Sequence, residues 1–130
     1  MNQHSINPGA SPLTETPVSL GVIVLCAVVF LTGFQPLGFM LWPLESGVFA
    51  IFQLVTYGFL HGGLLHLVFN MITLWVLGRI VIDHSGVARF FWIYFASQFG
   101  GGAVYGLLHS APVPMVGASG ALFGLAGAIL

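Results

Sequence analysis

The sequence predicts an all-α fold, a polytopic transmembrane helix bundle. Hydrophobic residues make up 58% of the 130-residue chain, and the mean hydropathy is +1.04. Charged residues make up 4%, where a soluble domain carries roughly a quarter, so this surface is not built to face water. There is no lysine, and the charges are Glu15, Glu45, Arg79, Asp83 and Arg89, all placeable at or outside helix ends. That balance leaves no electrostatic footprint for nucleic acid.

Residues 1–17 hold Asn, Gln, Ser, Thr and Pro but no Lys or Arg. They read as a disordered cytoplasmic leader that lacks the basic start of a secretory signal peptide. A first apolar span follows over 18–34, with Cys26 inside it and no small residue directly before that cysteine, which argues against a lipoprotein cleavage site. As the single cysteine, Cys26 has no intrachain disulfide partner.

Residues 35–63 form a long connection punctuated by Pro36, Gly38, Pro43, Gly47 and Gly58. Phe39, Trp42, Phe49, Phe52 and Tyr57 lie between them, which suits a loop on the bilayer surface. A second span is expected over 64–82, a short polar loop around Asp83, His84, Gly86 and Arg89, and a third span over 90–108. His109-Ser110-Ala111-Pro112-Val113-Pro114 closes the third span, and a fourth helix begins near Gly117. Both arginines flank the loop between spans two and three, so that loop and the N-terminus are expected in the cytoplasm of a multi-pass cell-membrane protein. From Ser119 to Leu130 a helix rises only about 18 Å against a hydrocarbon core of about 30 Å. The chain is therefore expected to stop within its fourth span, which makes 18–130 an incomplete membrane domain.

The polar groups inside these apolar segments carry the chemistry. Hydrocarbon penalises unpaired polar side chains, so intramembrane His, Asn and Ser need a reason. His66 and Asn70 are four residues apart and share one helix face. Counting helical rise from the outer surface, they and Ser119 fall within about 10 Å of one depth. A serine, an imidazole and a carboxamide so placed can form a nucleophile and an oxyanion hole. The same residues also fit a plainer role. Membrane serines commonly bond their own backbone, Gly120 and Gly124 make a small-residue packing pair, and intramembrane Asn or His can lock helices together. His61, His66 and His109 make a poor metal set, with no cysteine or carboxylate near them and a five-residue spacing between the first two. His84 reads as a solvated loop residue, and Trp75, Trp92, Tyr94 and Tyr105 as interface anchors or core.

The pattern His61-x4-His66-x3-Asn70 on the second span, followed by Gly117-x-Ser119-Gly120 opening the fourth, resembles the rhomboid intramembrane serine proteases. The resemblance runs from about Val18 to Leu130, and the segment from Gln53 to His61 is similar to the family's approach to its second span. It implies that Ser119 is the nucleophile and that His66 and Asn70, with the Ser119 amide, bind the oxyanion. By the same resemblance Gly117 allows the tight turn, Gly120 follows the nucleophile, and His61 is a supporting histidine. Phe123 takes the place of a ring that packs on the catalytic base.

That base is, in the family, a histidine on the sixth span, and spans five and six are absent from these residues. Ile82-Asp83 stands where the family often has Glu, and Trp42 lacks the arginine partner seen in some members. The resemblance implies an intramembrane serine endopeptidase that cleaves membrane proteins in or near their transmembrane segments. Its partners would be transmembrane substrates and the lipid bilayer, with no cofactor. These 130 residues alone are expected to be inactive. The rival reading is a non-catalytic rhomboid-like protein that binds transmembrane clients; a channel or transporter would need inverted repeats or a charged pathway.

Overall fold

The computed structural model describes residues 17–130, so the expected leader, apart from Pro17, lies outside the described residues. The described chain is helical. α1 spans Pro17–Leu31, a short α2 spans Gln53–Thr56, α3 spans Leu64–Leu108 and α4 spans Ser119–Ile129. Among the described residues there is no strand, only an antiparallel bridge in which Leu41 and Met115 exchange backbone hydrogen bonds of 3.0 and 2.8 Å.

α1 ends earlier than the apolar run suggests, and its C-terminal turn explains why. Gly33 takes φ +71, its N–H bonds to the Phe30 carbonyl at 3.1 Å, and the Phe34 N–H bonds to Val29 at 3.2 Å. This left-handed glycine closure ends the helix at Leu31, although Thr32 and Phe34 remain part of the turn.

The expected polar loop between the second and third spans is a correction. Helix runs through Asp83, His84 and Ser85 and resumes at Val87; only Gly86, at φ +83 and ψ 168, leaves helical geometry. Exposed polar residues do not break a helix, whereas one glycine in a conformation closed to other residues does. α3 is therefore two limbs, 64–85 and 87–108, each rising about 33 Å and so long enough to cross a hydrocarbon core. They fold back on each other: a Cβ at Gly78 would meet the Phe90 ring at 3.1 Å and Ser19 of α1 at 3.2 Å.

One apolar core joins all three long elements. Cys26 of α1, Leu67, Met71 and Leu74 of the first limb, Phe90 and Tyr94 of the second, and Ala121, Leu122 and Leu125 of α4 form a single buried cluster. α4 lies close against the second limb because glycines remove side chains where the two meet. A Cβ at Gly124 would sit 1.8 Å from Ser97 Oγ, and one at Gly101 would lie 3.9 Å from the Gly120 Cα. The Gly120–Gly124 pair thus packs helices as its spacing suggests.

The connection 35–63 is ordered. Gln53, buried, accepts from the Trp42 N–H at 3.2 Å and donates to the Gly38 and Val48 carbonyls, both at 3.1 Å. Leu41, Leu54 and Tyr57 bury a second, smaller core beneath it. Tyr57 is thereby held beside the segment that enters α4.

Candidate active site

His66 and Asn70 lie on the first limb of α3, one turn apart, and both face Gly117. A Cβ added at Gly117 would fall 2.7 Å from His66 Cε1, 2.8 Å from His66 Nε2 and 3.6 Å from Asn70 Nδ2. Only glycine fits here. Its φ of +114 adds a backbone reason to the steric one.

The donors at this point can be assigned. The Gly62 N–H donates to His66 Nδ1 at 3.1 Å, so a neutral His66 carries its proton on Nε2, the nitrogen that faces Gly117. Asn70 is buried and its Nδ2 has no hydrogen-bond partner. An unmet buried donor costs about 1–3 kcal/mol, so the fold keeps Asn70 at a loss in stability.

Ser119 is the first residue of α4, two residues beyond Gly117. It is exposed, and it lines a cavity of about 240 Å³ with Asn70, Thr73, Leu77, Leu122, Phe123 and Ala126. The nucleophile candidate and one oxyanion-donor candidate therefore open onto the same space. As the first helical residue, Ser119 has a backbone N–H with no acceptor within its own helix, and the positive end of the helix dipole lies there. Phe123, one turn on, is 80% exposed and forms part of the cavity wall.

His61 sits behind His66, with ring centroids 5.1 Å apart, and is only 1% exposed. Neither ring nitrogen has a hydrogen-bond partner. Burial, and then the neighbouring His66, pulls His61 down from 6.5 to about 4; the Phe59 backbone, outside hydrogen-bonding geometry, opposes this weakly. His61 is therefore neutral at pH 7. Its backbone carbonyl accepts from Gln35 Nε2, which ties the end of α1 to this corner. His109 is not part of the group: it stacks on Tyr105 at 4.6 Å. Among the described residues no three His, Cys, Asp or Glu side chains are grouped to hold a metal.

Gln98 and Tyr57 were not singled out by the sequence pattern, yet they fix the turn that carries Ser119. Gln98 Nε2 donates to the Gly117 carbonyl at 2.8 Å, and its Oε1 accepts from the Ala121 N–H at 2.9 Å. The Gly117 N–H donates to the Tyr57 carbonyl at 2.9 Å, and the Tyr57 hydroxyl donates to the Gln98 carbonyl. One signal was available: a buried glutamine in an apolar helix must find partners.

The Rhomboid domain family model matches residues 48–130. The rhomboid protease GlpG of Photorhabdus laumondii is 31% identical over 124 residues, covering 83% of this chain and 44% of that protein. The rhomboid protease GluP of Bacillus subtilis is 42% identical over 78 residues, 60% of this chain and 15% of that protein. RHOMBOID-like protein 5 of Arabidopsis thaliana is 44% identical over 79 residues, 60% of this chain and 26% of that protein. The chain spans less than half the length of these curated relatives.

Proposed function

This chain belongs to the rhomboid family, and from that premise we propose that it carries the nucleophile and oxyanion-binding parts of an intramembrane serine endopeptidase. Its substrates would be membrane proteins, cut in or near their transmembrane segments. The two limbs of α3 would cross the bilayer, with the Gly86 bend and its neighbouring arginines on the cytoplasmic side.

In this reading Ser119 Oγ attacks the scissile carbonyl and gives up its proton to a general base. The carbonyl oxygen gains negative charge and accepts from Asn70 Nδ2, His66 Nε2–H and the Ser119 N–H. The C–N bond then breaks as the base returns its proton to the leaving amine, and water hydrolyses the acyl-enzyme. The single observation that best supports this is the unpartnered Nδ2 of Asn70, buried beside Gly117, in a residue that lines the same cavity as Ser119. A client-binding protein gains nothing from an orphan donor aimed at a glycine.

The base is assigned to none of the described histidines. His66 has its Nδ1 engaged by Gly62, His61 is too weak a base and is shut behind His66, and His109 is stacked on Tyr105. His84 bonds the Ile80 carbonyl beside the Gly86 bend, about 27 Å along the helix from His66. In this reading the base is a group other than these four histidines, as the family resemblance implies.

The test is cleavage of a membrane-embedded reporter by the protein as its gene encodes it, with expression level as the control. Ser119→Ala should abolish cleavage and also abolish labelling by a fluorophosphonate. Parental cleavage by Ser119→Ala would remove the protease reading and leave the client-binding one.

A further inference from the structure

The turn before Ser119 is gripped by one buried carboxamide other than Asn70. Gln98 is 3% exposed, and both ends of its side chain are spent on this turn, Nε2 on the Gly117 carbonyl and Oε1 on the Ala121 N–H. Space for it is made by two glycines. A Cβ at Gly58 would fall 2.4 Å from Gln98 Nε2, and one at Gly120 would fall 3.4 Å from Oε1. Tyr57 holds the same turn, taking the Gly117 N–H on its carbonyl and bonding the Gln98 carbonyl through its hydroxyl.

We propose that Gln98 is a positioning residue that keeps the oxyanion site open by holding the Gly117 carbonyl away from it. The inference rests on Ser119 being the nucleophile. Gly117 is a glycine at φ +114, so the peptide that follows it can rotate with little steric resistance. Asn70 Nδ2 lacks an acceptor and His66 Nε2 faces the same residue. A rotated Gly117 carbonyl would satisfy those donors and fill the oxyanion site from within. The donor at Gln98 Nε2 competes for that carbonyl and wins it. The second bond, from Ala121 to Oε1, fixes the first turn of α4 and with it the direction of the Ser119 amide.

Two substitutions separate this from a merely structural role. Gln98→Met keeps the length and removes both bonds. It should lower kcat about 10²-fold, the loss expected when reacting groups are misplaced by about 1 Å, with KM within twofold of the parent. Gln98→Glu keeps the acceptor for Ala121 and can donate to the Gly117 carbonyl only while its carboxyl is protonated. Burial raises such a carboxyl toward neutrality or above. Relative to the parent, Gln98→Glu should therefore cut best at low pH and lose activity as pH rises through 6 to 9. Tyr57, the titratable group in contact, is pushed up to about 12 by burial and stays neutral in that range.

Parental kcat in Gln98→Met, or a flat activity ratio between Gln98→Glu and the parent, would overturn the proposal. Should either variant fail to accumulate, Tyr57→Phe removes the hydroxyl that braces the Gln98 carbonyl. It should lower kcat at unchanged KM, and parental kcat there would also overturn the proposal. Ser119→Ala is assayed in parallel: if it still cuts, the protease reading has failed, whereas an inactive Ser119→Ala beside a parental Gln98→Met defeats only the role given to Gln98.

Discussion

Gly117→Ala should damage this protein twice, and the two effects can be measured apart. The new methyl group enters a backbone at φ +114, which holds a side chain only at a cost of about 1–3 kcal/mol. It would also arrive 2.7 Å from His66 Cε1 and 2.8 Å from Nε2, well inside van der Waals contact. The imidazole must swing away, and its hydrogen bond from Gly62, worth about 0.5–1.5 kcal/mol, goes with it. Together these place the loss of stability at about 2–4 kcal/mol. The displaced His66 no longer presents Nε2–H to the oxyanion, and removing one such donor lowers kcat about 10²–10³-fold. Thermal melting in detergent reads the first effect and kcat on a membrane-embedded reporter, at a temperature where the variant is folded, reads the second. Gly100→Ala is the control: a Cβ there meets nothing within 4 Å, and it lies in helical backbone, so it should leave stability unchanged or raise it by up to about 1 kcal/mol. If Gly117→Ala melts and cuts like the parent, Gly117 does not face His66 and Asn70 as described, and the oxyanion assignment goes with it.

Asn70→Leu should lower cleavage about 10²–10³-fold while leaving the melting temperature equal to or above the parent's, because it removes a buried donor that has no partner. A large drop in melting temperature would show that the Asn70 amide is bonded within the fold. His61 sets an acid limit on stability. Its folded pKa lies below its unfolded value, so below pH 6.5 the unfolded chain binds more protons than the native one. Stability should therefore be full above pH 6.5 and fall as pH drops toward 4, by up to about 3 kcal/mol. Melting followed from pH 7 to 4 checks this, and the part of the slope due to His61 should vanish in His61→Leu; an unchanged slope would show that His61 does not carry it.

Much of the placement of the candidate residues was legible because it obeys short-range rules. His66 and Asn70 are one helical turn apart, and that spacing alone put them on one face. Gly117 and Ser119 announced a turn entering a helix, and Gly120 with Gly124 announced close packing against a neighbour. The misjudged boundaries share one physical cause. Asp83, His84 and Arg89 look like loop residues by polarity, yet an exposed charge on a helix is stable, and the only break falls at Gly86. Likewise α1 stops at Leu31 because of a glycine two residues on, although the apolar run continues. Backbone conformation decided both places, and hydropathy does not report it.

The role of Gln98 was not legible for a different reason, although a glutamine in an apolar helix signals that partners must exist. Its partners are Tyr57, Gly117 and Ala121, up to 41 residues away, and a single glutamine in an apolar helix has no period to betray its role. What makes it intelligible afterwards is the contrast between two carboxamides that approach one glycine. Gln98 has both its ends bonded, whereas Asn70 has a donor left bare within reach of the same residue. A chain selected only to pack would have let the flexible Gly117 peptide satisfy Asn70, since an unmet buried donor is destabilising and the glycine can turn. Here the carbonyl is bonded elsewhere and the donor is kept waiting. On the proposed reading, that asymmetry marks a site that receives an oxygen from outside, where a helix junction that only packs would have closed on itself.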